Sequence, residues 1–196
     1  MGIKQFNGTY LVNEDRILFR FNTQNQDEYR LWFTRRTTLF ILAATAFLLA
    51  KKMEQTHSPD AAKAINQFER EAILELAKNQ NTELPAYESG LHFPLGFDPI
   101  LVMDVTCALT KNGEKLMQLS DLKEGEIDPD LSIDFALPGG ANLNLKLPPN
   151  TLQTMCVLLD QLRLQAGWGE AVLQIKNVAT EEQNSEVKMS ENISIH

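Results

Sequence analysis

The sequence predicts an α+β fold: antiparallel β-hairpins packed with a buried central helix and two amphipathic helices, in a single domain. Three observations carry this. Two neighbouring segments, Arg16–Phe21 and Glu28–Thr34, alternate apolar and polar residues with period two, the pattern of half-buried strands. The segment Leu39–Ala50 is apolar nearly all round, which marks a helix enclosed by the core. Strand patterns precede helical ones without regular βαβ alternation, which favours hairpins over a doubly wound parallel sheet.

In the first hairpin, Ile17, Phe19 and Phe21 share one face, and Arg16, Leu18 and Arg20 the other. Its second strand sets Tyr29, Leu31 and Phe33 against Arg30, Trp32 and Thr34. The polar stretch Asn22–Asp27 supplies turn residues. A short strand over Gly8–Val12 is expected before the pair, with Asn13-Glu14-Asp15 as its turn. Thr34 suits a helix N-cap, since its hydroxyl can accept an orphan amide of the first turn. That helix is expected from Arg35 to about Gln55. Ser58 as N-cap and Pro59 at the first helical position start a second helix. Its apolar stripe is Ile65, Phe68, Ala72 and Leu76, and it ends at Asn79–Thr82.

Glu83–Pro99 reads as an ordered but irregular loop rich in proline and glycine. Leu91, Phe93, Leu95 and Phe97 alternate along it and could pin it onto the core. Ile100–Leu109 and Glu114–Leu119 form a hairpin around Thr110-Lys111-Asn112-Gly113, because Asn-Gly between apolar runs suits a tight turn. Asp121–Asp130 is an acidic loop. Leu131–Leu137 and Asn142–Leu147 form another hairpin across Pro138–Ala141. Pro149 opens the third helix, with Leu152, Met155, Cys156, Leu159 and Leu162 as its stripe and Gly167 as its stop. Ala171–Ile175 could add a last strand or helical turn. From residue 177 to 196 the chain is polar and acidic, and a disordered tail is expected after a globular domain over 1–176. A strand feeding straight into a helix occurs twice, at EYRLWF before the first helix and at NLNLKL before the third.

The functional reading begins with exclusions. The formal charge of −8 argues against a dedicated duplex-DNA binder, whose affinity rests on neutralised phosphates. Leu39–Ala50, bracketed by Arg35-Arg36 and Lys51-Lys52, rises only ~18 Å as a helix, short of a ~30 Å hydrocarbon core. Membrane contact is therefore not expected. Met1–Tyr10 lacks the basic and apolar regions of a signal peptide. Cys107 and Cys156 lie in apolar runs, where reduced thiols fit a cytoplasmic protein. His57, His92 and His196 have no metal-ligand spacing, and neither HExxH, CxxC, a phosphate-binding glycine loop nor GxSxG occurs. No catalytic residue, cofactor or metal is assigned. Asp121, Glu124, Glu126, Asp128 and Asp130 lack the spacing of a calcium loop. Asp104 and Asp134, each in a strand, read as outer-face residues.

One local feature remains. Residues 1–60 carry eight basic and six acidic side chains, so +2, whereas residues 61–196 carry ten and twenty, so −10. If the aromatic face of the first hairpin points inward, Arg16, Arg20, Arg30 and Trp32 point outward together, with Arg35 and Arg36 at the end of the strand. Arginine and tryptophan are common interface hot-spot residues, so this face is the candidate site of a protein partner or of self-association. The alternative partner is single-stranded nucleic acid, held by stacking and guanidinium–phosphate contacts. The plain structural reading is that Trp32 is covered and the arginines pair with Glu14, Asp15, Asp27 and Glu28. The sequence predicts a non-enzymatic cytoplasmic protein acting through interaction, as an adaptor, regulator or self-associating chain.

Overall fold

In the computed structural model the described residues are 2–54, 57–58, 60–61, 64–65, 67–68, 71–72, 75, 86–111, 114–115, 130–170 and 186–189. The α+β expectation holds: two sheets rich in antiparallel pairs pack with two helices. Strands β1 (Ile3–Leu11), β2 (Arg16–Thr23) and β3 (Glu28–Thr34) form an antiparallel meander. β1 is longer than the short strand expected at Gly8–Val12. Its Phe6 rests against Phe19 with ring centroids 5.7 Å apart, which adds a third strand to the aromatic inner face. Helix α1 (Arg35–Met53) follows β3 with no intervening residue, and Thr34 caps it as expected, its hydroxyl accepting from Thr37 N at 3.2 Å. Lys51 and Lys52 in the last turn complement the negative end of the helix dipole.

The expected strand Ile100–Leu109 is two strands in two sheets. β4 (Ile100–Leu101) lies parallel to β3, and β5 (Asp104–Lys111) belongs to the second sheet. Between them Val102 N donates to Trp32 O at 3.1 Å and Met103 N to Ala136 O at 2.9 Å. Two consecutive amides thus hand the chain from one sheet to the other. A continuous apolar run has no local signal for such a switch, because both partners are distant in sequence. Around β5 stand β6 (Glu114–Lys115), β7 (Asp130–Ala136), β8 (Asn142–Leu147) and β9 (Glu186–Lys188), in the order β6-β5-β7-β8 with β9 also on β5. Helix α2 (Pro149–Gln165) follows β8, and Gly167, at φ 65°, stands just past its end.

Two expectations need revision here. Glu186–Lys188, within the stretch read as a disordered tail, pairs with Thr106–Ala108, and Val187 and Met189 are buried in the core. Phe68, placed on the apolar stripe of the second helix, is exposed. Ser58 accepts from Ala61 N at 3.4 Å, as its capping role requires, and described positions from Asp60 to Glu75 are helical. The rest of that helix, most of Glu114–Leu119, the acidic loop before Asp130, and Ala171–Ile175 lie outside the described residues.

Each sheet therefore has a strand that leads into a helix, and the helices are shared between the sheets. α1 packs on β5 as well as β3, and α2 packs on β1. Leu162 and Leu158 of α2 sit over Gly8 of β1, where a Cβ would lie 2.4 Å from Leu162 Cδ1. The helices meet at Thr45 and Cys156, Oγ1 to Sγ 3.4 Å. The inner faces touch where Phe33 and Phe135 approach to 5.5 Å between ring centroids. Phe19, Phe33, Phe40, Ile133 and Leu145 are fully buried in one continuous cluster, each contributing roughly 1.5–3 kcal/mol of transfer free energy. The β1–β2 turn is tied to the end of α2: Asp15, in the left-handed region at φ 47°, accepts from Trp168 Nε1 and Tyr10 OH, each at 2.8 Å. Those bonds, aided by the charge of Arg35, lower the Asp15 pKa, and the carboxylate raises that of Tyr10.

Candidate interaction face on the first sheet

Strand register sorts the outer face of the first sheet into rows. Leu11, Arg16 and Thr34 form one, Thr9, Leu18 and Trp32 the next, then Asn7, Arg20 and Arg30, and last Gln5, Asn22 and Glu28. The sequence-predicted Arg16, Arg20, Arg30 and Trp32 are thus brought onto one surface. Arg35 and Arg36 are exposed in the first turn of α1, just beyond it.

Half of this face is covered by a strap, residues 86–99. It runs beside β3 and is pinned at both ends. At its start Asn22 Nδ2 donates to Glu88 O at 2.6 Å, and Glu88 N donates to Gln5 Oε1 at 3.0 Å. Leu91 N and His92 N donate to Gln26 O, and Glu28 N to His92 O at 2.8 Å, closing a parallel bridge between Asp27 and His92. At its end the strap becomes β4. The expected contact with the core is made by Leu95, whereas Leu91 and Phe97 face outward.

Glu28 anchors the strap. It is fully buried, although it stands in an outer row, because the strap closes over it. One carboxylate oxygen accepts from Arg30 Nε at 2.7 Å and the other from Gly90 N at 2.7 Å. A buried carboxylate is tolerated only with such charge-assisted partners. Gly90 is required for this approach, since a Cβ there would lie 2.6 Å from Gln26 O and 2.9 Å from Glu28 N. Burial, and the negative charge of Glu28, push the Tyr87 phenol up to about 12.

Every arginine of the face stacks on an aromatic ring. Arg16 lies over Trp32 at 4.7 Å and pairs with Glu14. Arg20 lies over Tyr87 at 4.9 Å and donates from Nε and Nη2 to Asn7 Oδ1. Arg30 meets Phe97 at 4.0 Å and Phe93 at 4.8 Å, and its Nη1 donates to Phe97 O at 3.2 Å. Glu14 and Glu28 do pair with arginines, as the plain structural reading anticipated, whereas Asp15 serves Trp168 and Tyr10. Trp32 is half-buried. Sequence reasoning missed Tyr87, Phe93, Phe97 and Gly90 as parts of this surface. The alternation that includes Phe93 and Phe97 was visible, but its direction was assigned to the core, and Tyr87 and Gly90 carried no such signal.

Among the described residues the outer face of the second sheet carries no arginine–aromatic stack, and its Ala108, Thr110 and Ser132 are buried. Asp134 accepts from Asn144 Nδ2 at 2.5 Å and lies 3.7 Å from Lys115 Nζ. Asp104 accepts from Val105 N at 3.0 Å. Cys107 is buried and Cys156 half-buried, neither joined in a disulfide, and burial raises the Cys107 thiol pKa far above its ordinary value, which removes its nucleophilic form. Among the described residues no group of three or more His, Cys, Asp or Glu side chains is placed to hold a metal ion, and no helix is long and apolar enough to cross a membrane. No family model, curated protein or solved structure matches this chain.

Proposed function

We propose that this is a non-enzymatic, cytoplasmic protein that works by binding another protein, or a second copy of itself, through the outer face of the first sheet and its strap. The observation that supports this reading is the half-exposed cluster of arginine–aromatic stacks, Arg16 on Trp32 and Arg30 on Phe97, with Phe97 63% exposed. Such side chains concentrate binding free energy because they bury large areas and keep polar reach. Here they are held before any partner arrives, which lowers the ordering cost of association. The exposed acidic Glu14 and Glu88 stand on the same side as the arginines, a mixed charge that suits a protein surface better than a phosphate backbone. The two cysteines, unjoined by a disulfide, fit a reducing compartment.

The test compares wild type with a Trp32→Ala variant in partner capture and in sedimentation over a range of concentrations. Capture or self-association is lost in the variant while its circular dichroism is unchanged. Retention of both overturns the reading. Arg30 is unsuited to this test, because its removal leaves Glu28 buried without its counter-charge. Single-stranded nucleic acid is the second reading, favoured by the open ring of Phe97 and by the exposed Arg35 and Arg36. Titration of a labelled oligonucleotide decides it: binding that weakens steeply with salt supports it, and absent or salt-insensitive binding rejects it.

A further inference from the structure

The contacts that surround Arg30 differ in how easily they can be broken. Its Nε is fixed on Glu28, which is fully buried. The turn that carries the two phenylalanines is fixed as well, because Leu95 packs against the core and Gly96 N donates to Phe93 O at 2.9 Å. Phe93 is half-buried and meets Phe97 edge to face, with centroids 5.1 Å apart. Phe97 alone is largely exposed, and its ring lies over the guanidinium carbon of Arg30 at 4.0 Å. Its ring can leave by rotation about its own Cα–Cβ bond. No backbone needs to move, and the main-chain carbonyl can stay on Arg30 Nη1.

We infer that Arg30 and Phe93 form a seat for an aromatic side chain, that Phe97 is its built-in occupant, and that a Phe or Tyr ring of a protein partner displaces it. This rests on the protein-binding reading above and names the chemistry of the partner. The seat offers a guanidinium plane oriented by Glu28 and an aromatic wall, so it selects a flat, electron-rich ring over an aliphatic chain. An intramolecular occupant lowers apparent affinity by the fraction of molecules in which the seat is filled. Weak or absent binding of a single aromatic ligand to the wild-type chain is then expected, and a partner must bring further contacts to Trp32 or the strap.

The experiment uses the full chain and a synthetic peptide with the sequence of Phe93–Pro99, which supplies two phenylalanine rings without added charge beyond one aspartate. Binding is followed by NMR through the backbone amide resonances of residues 28–32 in wild type, Phe97→Ala, Phe97→Leu and Phe97→Ala/Arg30→Lys. Both single variants bind about fivefold more tightly than wild type, the factor expected for removing one exposed cation–π competitor. The double variant loses that gain, because lysine keeps the charge but not the plane. Equal binding by wild type and Phe97→Ala overturns the inference, as does binding indifferent to Arg30→Lys, or no binding by any variant. Phe97→Leu keeps the bulk of the side chain and guards against misfolding of the alanine variant. If the peptide fails while Trp32→Ala still abolishes partner capture, the seat is refuted and the protein-binding reading stands.

Discussion

Phe19, Leu31 and Phe33 line the inner face of the first sheet much as Cys107, Ile133 and Leu145 line that of the second, and in both sheets a strand leads into a helix. Their outer faces have nothing in common. The first carries four guanidinium–ring stacks, a fully buried carboxylate and a strap. The second carries Thr106, Ser132, Asp134, Asn144 and Lys146, short or singly charged groups among which Asn144 donates to Ser132 Oγ at 2.6 Å and to Asp134, with Ser132 and its neighbour Ala108 buried. Inner faces are set by the need to bury apolar area, so they converge. An outer face is free of that demand, and the costly arrangement around Glu28 needs another reason to exist. Burying a carboxylate is repaid only by near-ideal partners, and a hydrophobic replacement is often no less stable. The first sheet therefore bears a specialised surface, and the second an ordinary one.

The likeness inside is broken most severely at the contact between the sheets. Phe33→Ala and Phe135→Ala should each cost about 3–5 kcal/mol in urea denaturation, and the double variant should cost less than the sum, because the rings share one contact. Additive losses would mean that the sheets are independent.

The unlikeness outside is sharpened by Glu28→Ala, which leaves Arg30 and Gly90 N without their acceptor. A loss of about 2–4 kcal/mol is expected, together with faster proteolysis within residues 86–99. Ser132→Ala in the corresponding position of the second sheet should cost about 1 kcal/mol or less. Comparable losses at the two sites would erase the distinction.

A smaller effect concerns the tie between the first hairpin and α2. The folded-state pKa of Asp15 lies below its ordinary value of 3.8, so its stabilising contribution is full above that value and is lost as pH falls through the folded pKa. Asp15→Asn keeps a residue tolerant of positive φ while removing the charge. Denaturation midpoints of wild type and variant should differ at pH 7 and converge as pH falls through the folded-state pKa of Asp15, below 3.8. A difference that persists in acid would mean that hydrogen-bond geometry, rather than charge, holds Trp168.

Much of the fold was legible in the sequence because its signals are local. Thr34 caps α1 through an amide three residues away, and alternation in β2 and β3 assigns inner and outer faces without knowledge of any partner. The sorting of Arg16, Arg20, Arg30 and Trp32 onto one surface was legible for the same reason. The switch of sheets at Val102 and Met103 was not, since it depends on Trp32 O and Ala136 O, both remote along the chain. Nor was the pairing of Glu186–Lys188, whose polar, acidic surroundings resemble a solvated tail. The strap shows the limit most clearly. Its alternating Leu91, Phe93, Leu95 and Phe97 promised contact with the core, yet Leu95 alone packs there, and the two phenylalanines lie on Arg30.

The central claim is that function resides on the outer face of the first sheet and not on that of the second. The most direct measurement compares partner capture by two variants of equal stability, Trp32→Ala on the first sheet and Asn144→Ala/Lys146→Ala on the second. Loss of capture in the first variant alone is the predicted result, and loss in the second, or in neither, would contradict the account.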